Sequence, residues 1–420
     1  MSHTPFARSL LALALLAAGA AQAQSSLTLF GLADIGINNV TGQNGANTRL
    51  SSGVMEGSRW GMRGSEDMGG GYKAVFVLES RVELDTGSTN NRPASGNQVP
   101  DRLRFTTAQL GLPASPLLQG AIDNVSAGLG AQIGVNHIEN NLFDRQAFIG
   151  LVTPVGAILM GRQYTPGYEL FYIYDAMKTE SSLSAAQIAT LPPAIDIRRS
   201  NTLAYRVQKN GFTGTLSVAL GEDADSTSDS RYLGANFYYD GAGWGAGAAY
   251  ATNNNRDGET ALRNVVAGAY ADVGPGRLSF LYASAKDDNP DAAVLIRNQL
   301  APSPLPAAAK LLIGNAFEEA LRQDARLLHL GYRIQSGPHQ ITVAYNHFHD
   351  KLRDEADTQS YGAVYTYAFS KRTDVNLVMT QFRNEALAQA APGGNGFFGG
   401  VTSEGGRDAR NVAVALRHRF

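Results

Sequence analysis

The chain is 420 residues long, with 35 Lys and Arg against 37 Asp and Glu, a formal charge of −2 and no cysteine. So even a balance gives no electrostatic reason for a nucleic-acid partner, and the lack of thiols excludes disulfides and thiolate metal sites. Hydrophobic content is an ordinary 44%, so the class has to be read from the spacing of the apolar residues.

Residues 1–23 carry one basic residue, Arg8, then the apolar run LLALALLAAGA and the small-residue site Ala21-Gln22-Ala23. This is the layout of a secretory signal peptide, and the run falls short of the roughly 20 apolar residues that span a bilayer. Residues 24–420 are expected to be the folded, exported part.

From Ser25 the chain alternates. Leu27, Leu29, Gly31, Ala33, Ile35 and Ile37 take one face; Thr28, Asp34 and Asn38 take the other, with Phe30 and Leu32 among them. Period two over a dozen residues predicts a strand longer than the usual five or six and close to the roughly 9–11 of a tilted membrane strand. The pattern returns in Arg59, Gly61 and Arg63 against Trp60 and Met62, and after SEDMGGG in Lys73, Val75, Val77, Glu79 and Arg81 against Tyr72, Phe76 and Leu78. RQAFIGL and AILMGRQ, joined by VTPVG, make the next hairpin. Later ones turn at Gln208–Gly211, Asp240–Gly243, Val273–Gly276, Ser336–Pro338 and Ser370–Thr373.

The opposite connections are longer, at about 39–50, 86–144, 165–198, 222–230, 253–261, 287–323, 351–357 and 384–408. The segments make sixteen strands, with eight long loops alternating with seven short turns. That asymmetry predicts an all-β fold, a transmembrane 16-stranded antiparallel β-barrel. An even count brings both ends to the short-turn side. The ring has to close there, because an unpaired strand edge in hydrocarbon costs several kcal/mol per backbone group. The last strand, RNVAVALRHRF, sets Val412, Val414, Leu416, His418 and Phe420 against Asn411, Arg417 and Arg419. Two loops are overlong, 86–144 and 287–323; the second reads partly as an amphipathic helix with Leu311, Leu312, Phe317 and Leu321 on one side. Between about Tyr164 and Arg199 strand character is lost, and this third loop is expected to fold inward and narrow the bore.

Several stretches resemble the general porins of Gram-negative bacteria, the beta-proteobacterial type in particular. They are SSLTLFGLADIGI, SRWGMRGSEDMGGGYKAVFVLES, RQAFIGLVTPVGAILMGRQYTP, YAFSKRTDVNLV and the terminal ALRHRF, and together they reach both ends and the middle of the chain. The resemblance implies a Gram-negative outer-membrane channel for small hydrophilic solutes and ions, assembled as a homotrimer among outer-membrane lipid and lipopolysaccharide. It further implies that the barrel-assembly machinery reads the terminal Phe420. The sequence departs from the family where NTLAYRVQ stands for the usual NS-x-R-YDSP, with Ala204 at an expected arginine and Arg206 at an aspartate.

Charges facing lipid cost about 2–4 kcal/mol at the midplane, whereas lumen charges stay hydrated, so alternation sorts them. Arg59, Arg63, Lys73 and Arg81, with Glu79, are placed on the lumen face; Arg145 and Arg162 bracket the hairpin before the third loop and join that basic wall. Simple alternation sets Arg162 with Ile158 and Met160, so its place there needs a bulge near Gly161 or a strand end. The loop supplies Glu169, Asp175, Glu180 and Asp196. The resemblance implies an arginine ladder facing these acids across the constriction. The wall cations outnumber the one wall acid, Glu79, and lean toward anions.

Other constellations are weak. His347 and His349 share a strand face, as a metal pair would, but an interfacial position beside Tyr345 and Phe348 accounts for them better. GEDADSTSD, 221–229, has calcium-like oxygen spacing without the rest of an EF-hand loop. No G-x-S-x-G, Walker loop or H-E-x-x-H occurs, so no enzyme, cofactor or metal site is expected. The rival readings are an outer-membrane barrel enzyme, a soluble secreted β-protein such as an adhesin, and a substrate-specific channel of the same fold.

Overall fold

The structure is a computed structural model that describes residues 26–45, 47–89, 93–132, 141–188, 196–221, 226–393 and 399–420. The expected signal peptide, 1–23, lies outside them, as do 222–225 of the calcium-like loop.

Sixteen long strands run in chain order: β1 Ser26–Thr41, β2 Arg59–Gly69, β3 Tyr72–Arg81, β4 Gln146–Thr153, β5 Gly156–Tyr164, β6 Arg198–Lys209, β7 Phe212–Ala219, β8 Tyr232–Asp240, β9 Trp244–Asn254, β10 Thr260–Val273, β11 Gly276–Asp287, β12 Gln323–Ser336, β13 His339–Asp350, β14 Thr358–Ala368, β15 Thr373–Asn384 and β16 Ala409–Arg419. Each is antiparallel to its sequence neighbour, and β1 pairs with β2 on one edge and β16 on the other. The barrel is closed. The seam is finished by the terminus itself: Gly31 N–H donates to Phe420 O at 3.0 Å and Phe420 N–H returns to Gly31 O at 3.1 Å. A Cβ on Gly31 would lie 2.3 Å from the Phe420 ring, so glycine there makes room for the terminal aromatic.

One strand was not legible in advance. Thr48–Ser52 doubles back on β1 from Ile35 to Asn39, five residues too short to show a period.

Register assigns the faces. Leu27, Leu29 and Ile37 are 69%, 62% and 61% exposed, while Asp34 and Asn38 on the same strand are buried. Cross-strand partners share a face, so Leu29 opposite Met62, and Met62 opposite Leu78, carry the outward set onto β2 and β3. Trp60 and Phe76 belong to that outward set. Leu32 opposite Arg59, and Arg59 opposite Arg81, carry the inward one. At the short-turn end Phe212, Tyr239 and Trp244 on one side, and His339, Tyr367 and Phe369 on another, pack ring on ring, as a membrane-interface girdle does.

The two overlong loops and the loop after β15 share one apolar core outside the barrel wall. The helices α1 Pro116–Gln132, α3 Asp291–Leu300 and α4 Ala307–Leu321, with α2 Pro166–Tyr174 lying in the third loop, complete the main helical elements. Ile122, Val125, Ile296, Ile313, Phe317 and Val401 meet in that core, where Phe105 stands edge-on to Phe317. The stripe of α4 differs from the one expected. Phe317 and Leu321 are buried with Ala309 and Ile313, at steps of four, whereas Leu311 and Leu312 are exposed.

Candidate functional site

The inner face of the ring is of two kinds. On β9 to β16 it mixes small and apolar side chains, among them Ala249, Val266, Ala283, Leu327, Val364, Val378 and Ala413, with buried polar ones such as His329, Asn346 and Thr380, and residues of the third loop pack against them. Leu170, Phe171 and Tyr174 of α2 pack there with Ala185 and Ile188, while Met177 and Leu183 pack nearer β16 beside Met55. Thr165 caps α2 by accepting from Tyr168 N–H at 3.2 Å, with Pro166 at the first helical position.

Polar ties fix the loop to the same wall. Ala176 N–H donates to His329 Nε2 at 2.9 Å, which leaves Nδ1 as the donor to Asn346 Oδ1 at 2.6 Å; Asn346 Nδ2 then donates to Leu183 O at 3.1 Å. The Arg333 guanidinium donates to Ala176 O. Ser182 Oγ meets Thr380 Oγ1 at 2.9 Å and accepts from Asn411 at 2.8 Å.

On β2 to β7 the inner face is charged, and a cavity of about 490 Å³ lies against it. Arg59, Arg145 and Arg206 line it together with Glu56, Glu79 and Glu169, and Tyr164, Tyr168 and Tyr172 complete its aromatic side. The charges are paired. Arg145 Nε donates to Glu79 at 2.5 Å and its Nη2 to Tyr164 Oη at 3.0 Å. Arg59 meets Glu56 at 2.9 Å and Glu79 at 3.9 Å. Arg206 grips Glu169 with two nitrogens at 2.6 and 2.9 Å, and Tyr238 and Asn236 donate to the same carboxylate at 2.8 and 2.9 Å. Burial alone would push Glu169 up, but the Arg206 hydrogen bonds and charge, with Tyr238 and Asn236, hold it below the usual carboxylate range. Tyr164 and Tyr168 stack at 4.7 Å, and Arg198 covers the Tyr164 ring at 4.5 Å. Burial, then Tyr164, push the Tyr168 phenol up to about 12.

Of the ten residues singled out from the sequence, Arg59, Arg145 and Glu169 line this cavity. Arg81 lies just behind, buried between Glu83 at 3.1 Å and Asp144 at 4.0 Å. Arg63 and Lys73 are on the inward register but toward the short turns, Arg63 over the Phe30 ring at 5.4 Å and Lys73 beside Asp67 at 3.6 Å. Arg162 stands opposite Ala147, on the face of Ile158 and Met160, and is held by Asp144 O at 2.5 Å and Ser200 Oγ at 2.9 Å. A register shift does follow Gly161, but it falls between β5 and β6 and leaves Arg162 away from the cavity.

The loop acids also separate. Asp175 is buried and folds the loop itself, accepting from Met177 N–H at 2.8 Å, Ser184 Oγ at 2.7 Å and Ala185 N–H at 3.2 Å. Asp196 pairs with Arg199 at 2.6 Å and accepts from Asn253 at 2.9 Å. Glu180 meets Arg417 at 2.9 Å in a second cluster, where Glu56 binds both Arg417 and Arg419 at 3.0 Å and Asp374 binds both as well. That cluster was missed, although alternation in the last strand already sets Arg417 and Arg419 opposite its apolar face. The two histidines, His347 and His349, turn to Asp357 at 3.2 and 2.9 Å, and no group of three metal-binding side chains occurs among the described residues.

A family model of the Gram-negative porins matches residues 9–387. Outer membrane porin protein 32 of Delftia acidovorans is 26% identical over 427 aligned positions, which cover 98% of this chain and 99% of that protein. Among solved structures, the anion-selective porin from Comamonas acidovorans superposes with a TM-score of 0.66 at 20% identity, covering 94% of this chain and 100% of that one. The trimer form of OmpT from Vibrio cholerae superposes at 0.55 and 10% identity, over 94% and 99%. The two superpositions are likenesses of fold. Sixteen strands closed into a ring, oily side chains outward, and a family match across most of the length make this chain a member of the Gram-negative porins, barrel proteins of the outer membrane.

Proposed function

We propose that this porin is a passive diffusion channel for small hydrophilic solutes and ions, constricted by the third loop, about 164–199, whose described residues 164–188 pack against the wall. The division of the inner surface supports this reading: on one side buried side chains are engaged by residues of the loop, and on the other a set of paired charges is left facing the 490 Å³ cavity. Passage through such an opening requires no cofactor and no chemical step.

Selectivity in a narrow wet opening is electrostatic. Arg59, Arg145 and Arg206 stand against Glu56, Glu79 and Glu169, so the field runs across the passage and nearly cancels along it. Arg198, over Tyr164, tips the balance toward anions. The channel is therefore weakly anion-preferring, where wall cations counted alone would give a stronger bias. Planar-bilayer recording under a salt gradient tests this: a small reversal potential of anion sign is expected, and a large one of either sign overturns it. We extend the trimeric assembly named for OmpT to this chain, with export through residues 1–23 and insertion guided by Phe420. Three equal conductance steps per particle are the matching observation.

One observation favours a second reading, a substrate-specific channel. The stacked Tyr164 and Tyr168, with Tyr172 and Phe148, give the cavity an aromatic side facing its arginines. Such a site would take an aromatic carboxylate, and saturable block of the ionic current by benzoate would establish it over the general channel.

A further inference from the structure

The second loop leaves the ring between β3 and β4, and the sixth between β11 and β12. Those gaps are opposite: β4 to β11 lie on one side, β12 to β16 with β1 to β3 on the other, eight strands each way. At about 4.8 Å between strands and a tilt of about 40°, a ring of sixteen is about 32 Å across. Yet the two loops share a core. Leu103, Ile122 and Val125 of the second are buried with Ile296, Ile313 and Phe317 of the sixth, and the Phe105 ring stands 5.0 Å from that of Phe317. Contact between loops rooted so far apart requires at least one of them to cross the opening.

The second loop makes the crossing. Its Pro100 and Arg102 line a cavity of about 50 Å³ together with Gln323 of β12 and Thr358 of β14. Gln323 and Thr358 are both buried and on the inward register, the first with Leu327 and the second with Val364. Residues 100–102 therefore sit just inside the far rim. Ile188 lines the same cavity, so the crossing segment also rests on the third loop. The eighth loop holds it there: Val401 N–H donates to Ser95 Oγ at 3.1 Å, Gly405 N–H to Asp101 Oδ2 at 3.1 Å, and Thr402 O accepts from Gln98 Nε2 at 2.5 Å. Arg297 ties the sixth loop to Asp257 of the fifth at 2.8 Å, and Arg353 of the seventh donates to Glu319 O and Ala320 O at the end of α4, at 3.0 and 3.1 Å. A buried apolar core with ties of this number makes a packed layer, not a set of loose loops.

We propose that the second loop is a strap across the long-loop mouth, and that the roof it forms with the sixth and eighth loops is a size filter ahead of the constriction. The roof covers the mouth over β11 to β16 and β1. The 490 Å³ cavity against β2 to β7 is lined by strand residues, the third loop and Glu56, so solutes reach it from the uncovered side, over the charged wall. Charge is sorted at the paired residues of that wall, whereas the roof sorts by bulk and acts on neutral solutes as well. The filter rests on the reading of the chain as a diffusion channel and adds a second selection to it.

The test records single channels of the full-length protein in planar bilayers, with neutral poly(ethylene glycol) of graded size added to one side and then to the other. A polymer small enough to enter lowers the conductance, so each side yields a size limit. In the wild type the two limits should differ, because one mouth is roofed and the short-turn end is not. In I122D/F317D, which sets two carboxylates in the shared core, the smaller limit should rise to meet the larger. Ion selectivity in polymer-free salt should stay native there, since the charge pairs around the cavity are untouched, showing that the barrel has formed. If that variant does not insert, replacement of residues 95–132 by a glycine-serine linker carries the test. Equal limits from both sides of the wild type overturn the proposal, as does a difference that persists once the roof is broken. No steady current from the wild type before polymer is added would overturn the channel reading itself, and the filter with it.

Discussion

Glu56 and Glu180 converge on one nitrogen: their Oε2 atoms lie 3.0 and 2.9 Å from Arg417 Nη1. Two carboxylates so close cannot be equally acidic. Burial, then the Glu56 charge, push Glu180 above its ordinary 4.5. Burial works on Glu56 as well, but Arg59, Arg417 and Arg419 outweigh it and hold Glu56 below that value. The linkage signs are opposite. Glu180 adds stability that is full below its unfolded value and lost as pH rises through its higher folded one; Glu56 adds stability present above its unfolded value and lost as pH falls through its lower one. Glu180 is therefore the first of the two to take up a proton. As pH falls from 8 toward 4.5, the passage should lose one negative charge and become about twofold more anion-preferring, the scale of a partly screened charge. E180Q should show that selectivity already at pH 8 and respond less to acid. Reversal potentials that follow the same pH curve in wild type and E180Q would sink the assignment.

The resemblance led to the expectation of an aspartate at Arg206; the arginine there has Glu169 as its partner. Glu169 ties α2 to the wall through Arg206, Tyr238 and Asn236. R206A leaves two neutral donors and removes the charged one, a loss of about 1–3 kcal/mol for a hydrogen bond to a charged group. The loop should be held less firmly at this end, and the passage should turn toward cations, since Glu169 loses its counter-charge. Single-channel records of R206A are expected to be noisier and cation-shifted, with R206K intermediate. Quiet, anion-shifted records would contradict the pairing.

Asp175 is the acid whose role differs most from expectation. It accepts from three backbone N–H groups, those of Met177, Thr179 and Ala185, and from the Ser184 hydroxyl, and stands 3.6 Å from His329. D175A would strand those buried donors, at about 1–3 kcal/mol each, without touching a strand pairing. Heated and unheated samples of D175A should migrate on gels as those of wild type do, while protease cuts within 164–199 become faster. Equal cleavage of D175A and wild type would show that Asp175 does not organise the loop.

The contrast between Asp175 and Arg59 says what the sequence carried. Alternation fixes which way a strand residue points, because the period is two and one face is oily; Arg59 and the outward Trp60 were placed by that rule, whereas Arg145 was placed only by its position at the start of the hairpin before the third loop. No such rule acts in the third loop, where Asp175 turns in and Glu180 turns to Arg417 according to packing with distant strands. Glu56 meets Arg417 across the seam, 361 positions away in the chain. α4 failed differently: its period was visible, but adjacent leucines suited two overlapping stripes, and contact with Phe105 and the α1 loop selected the one through Phe317.

Two wall glycines make room for the loop, and filling them separates its role from that of the barrel. A Cβ on Gly268 of β10 would lie 2.5 Å from Tyr174 Cβ and Cγ, and one on Gly331 of β12 would lie 2.3 Å from Ala176 Cβ. Neither neighbour is the free end of a flexible chain, so α2 and the residues after it have to move as a body. The strands keep their hydrogen bonds, since only an inward side chain is added. Overpacking of this kind costs about 1–3 kcal/mol per site, borne by loop contacts. G268V/G331V is therefore expected to insert and resist heat like the native barrel, with larger and less steady conductance. Gly214→Ala, on the outward face of β7, whose new Cβ would be 3.7 Å from the nearest atom, Phe237 Cδ2, is a control for replacing a wall glycine away from the loop and should conduct normally. Should G268V/G331V keep native conductance while Gly214→Ala also does, the packed loop would not be what limits the current.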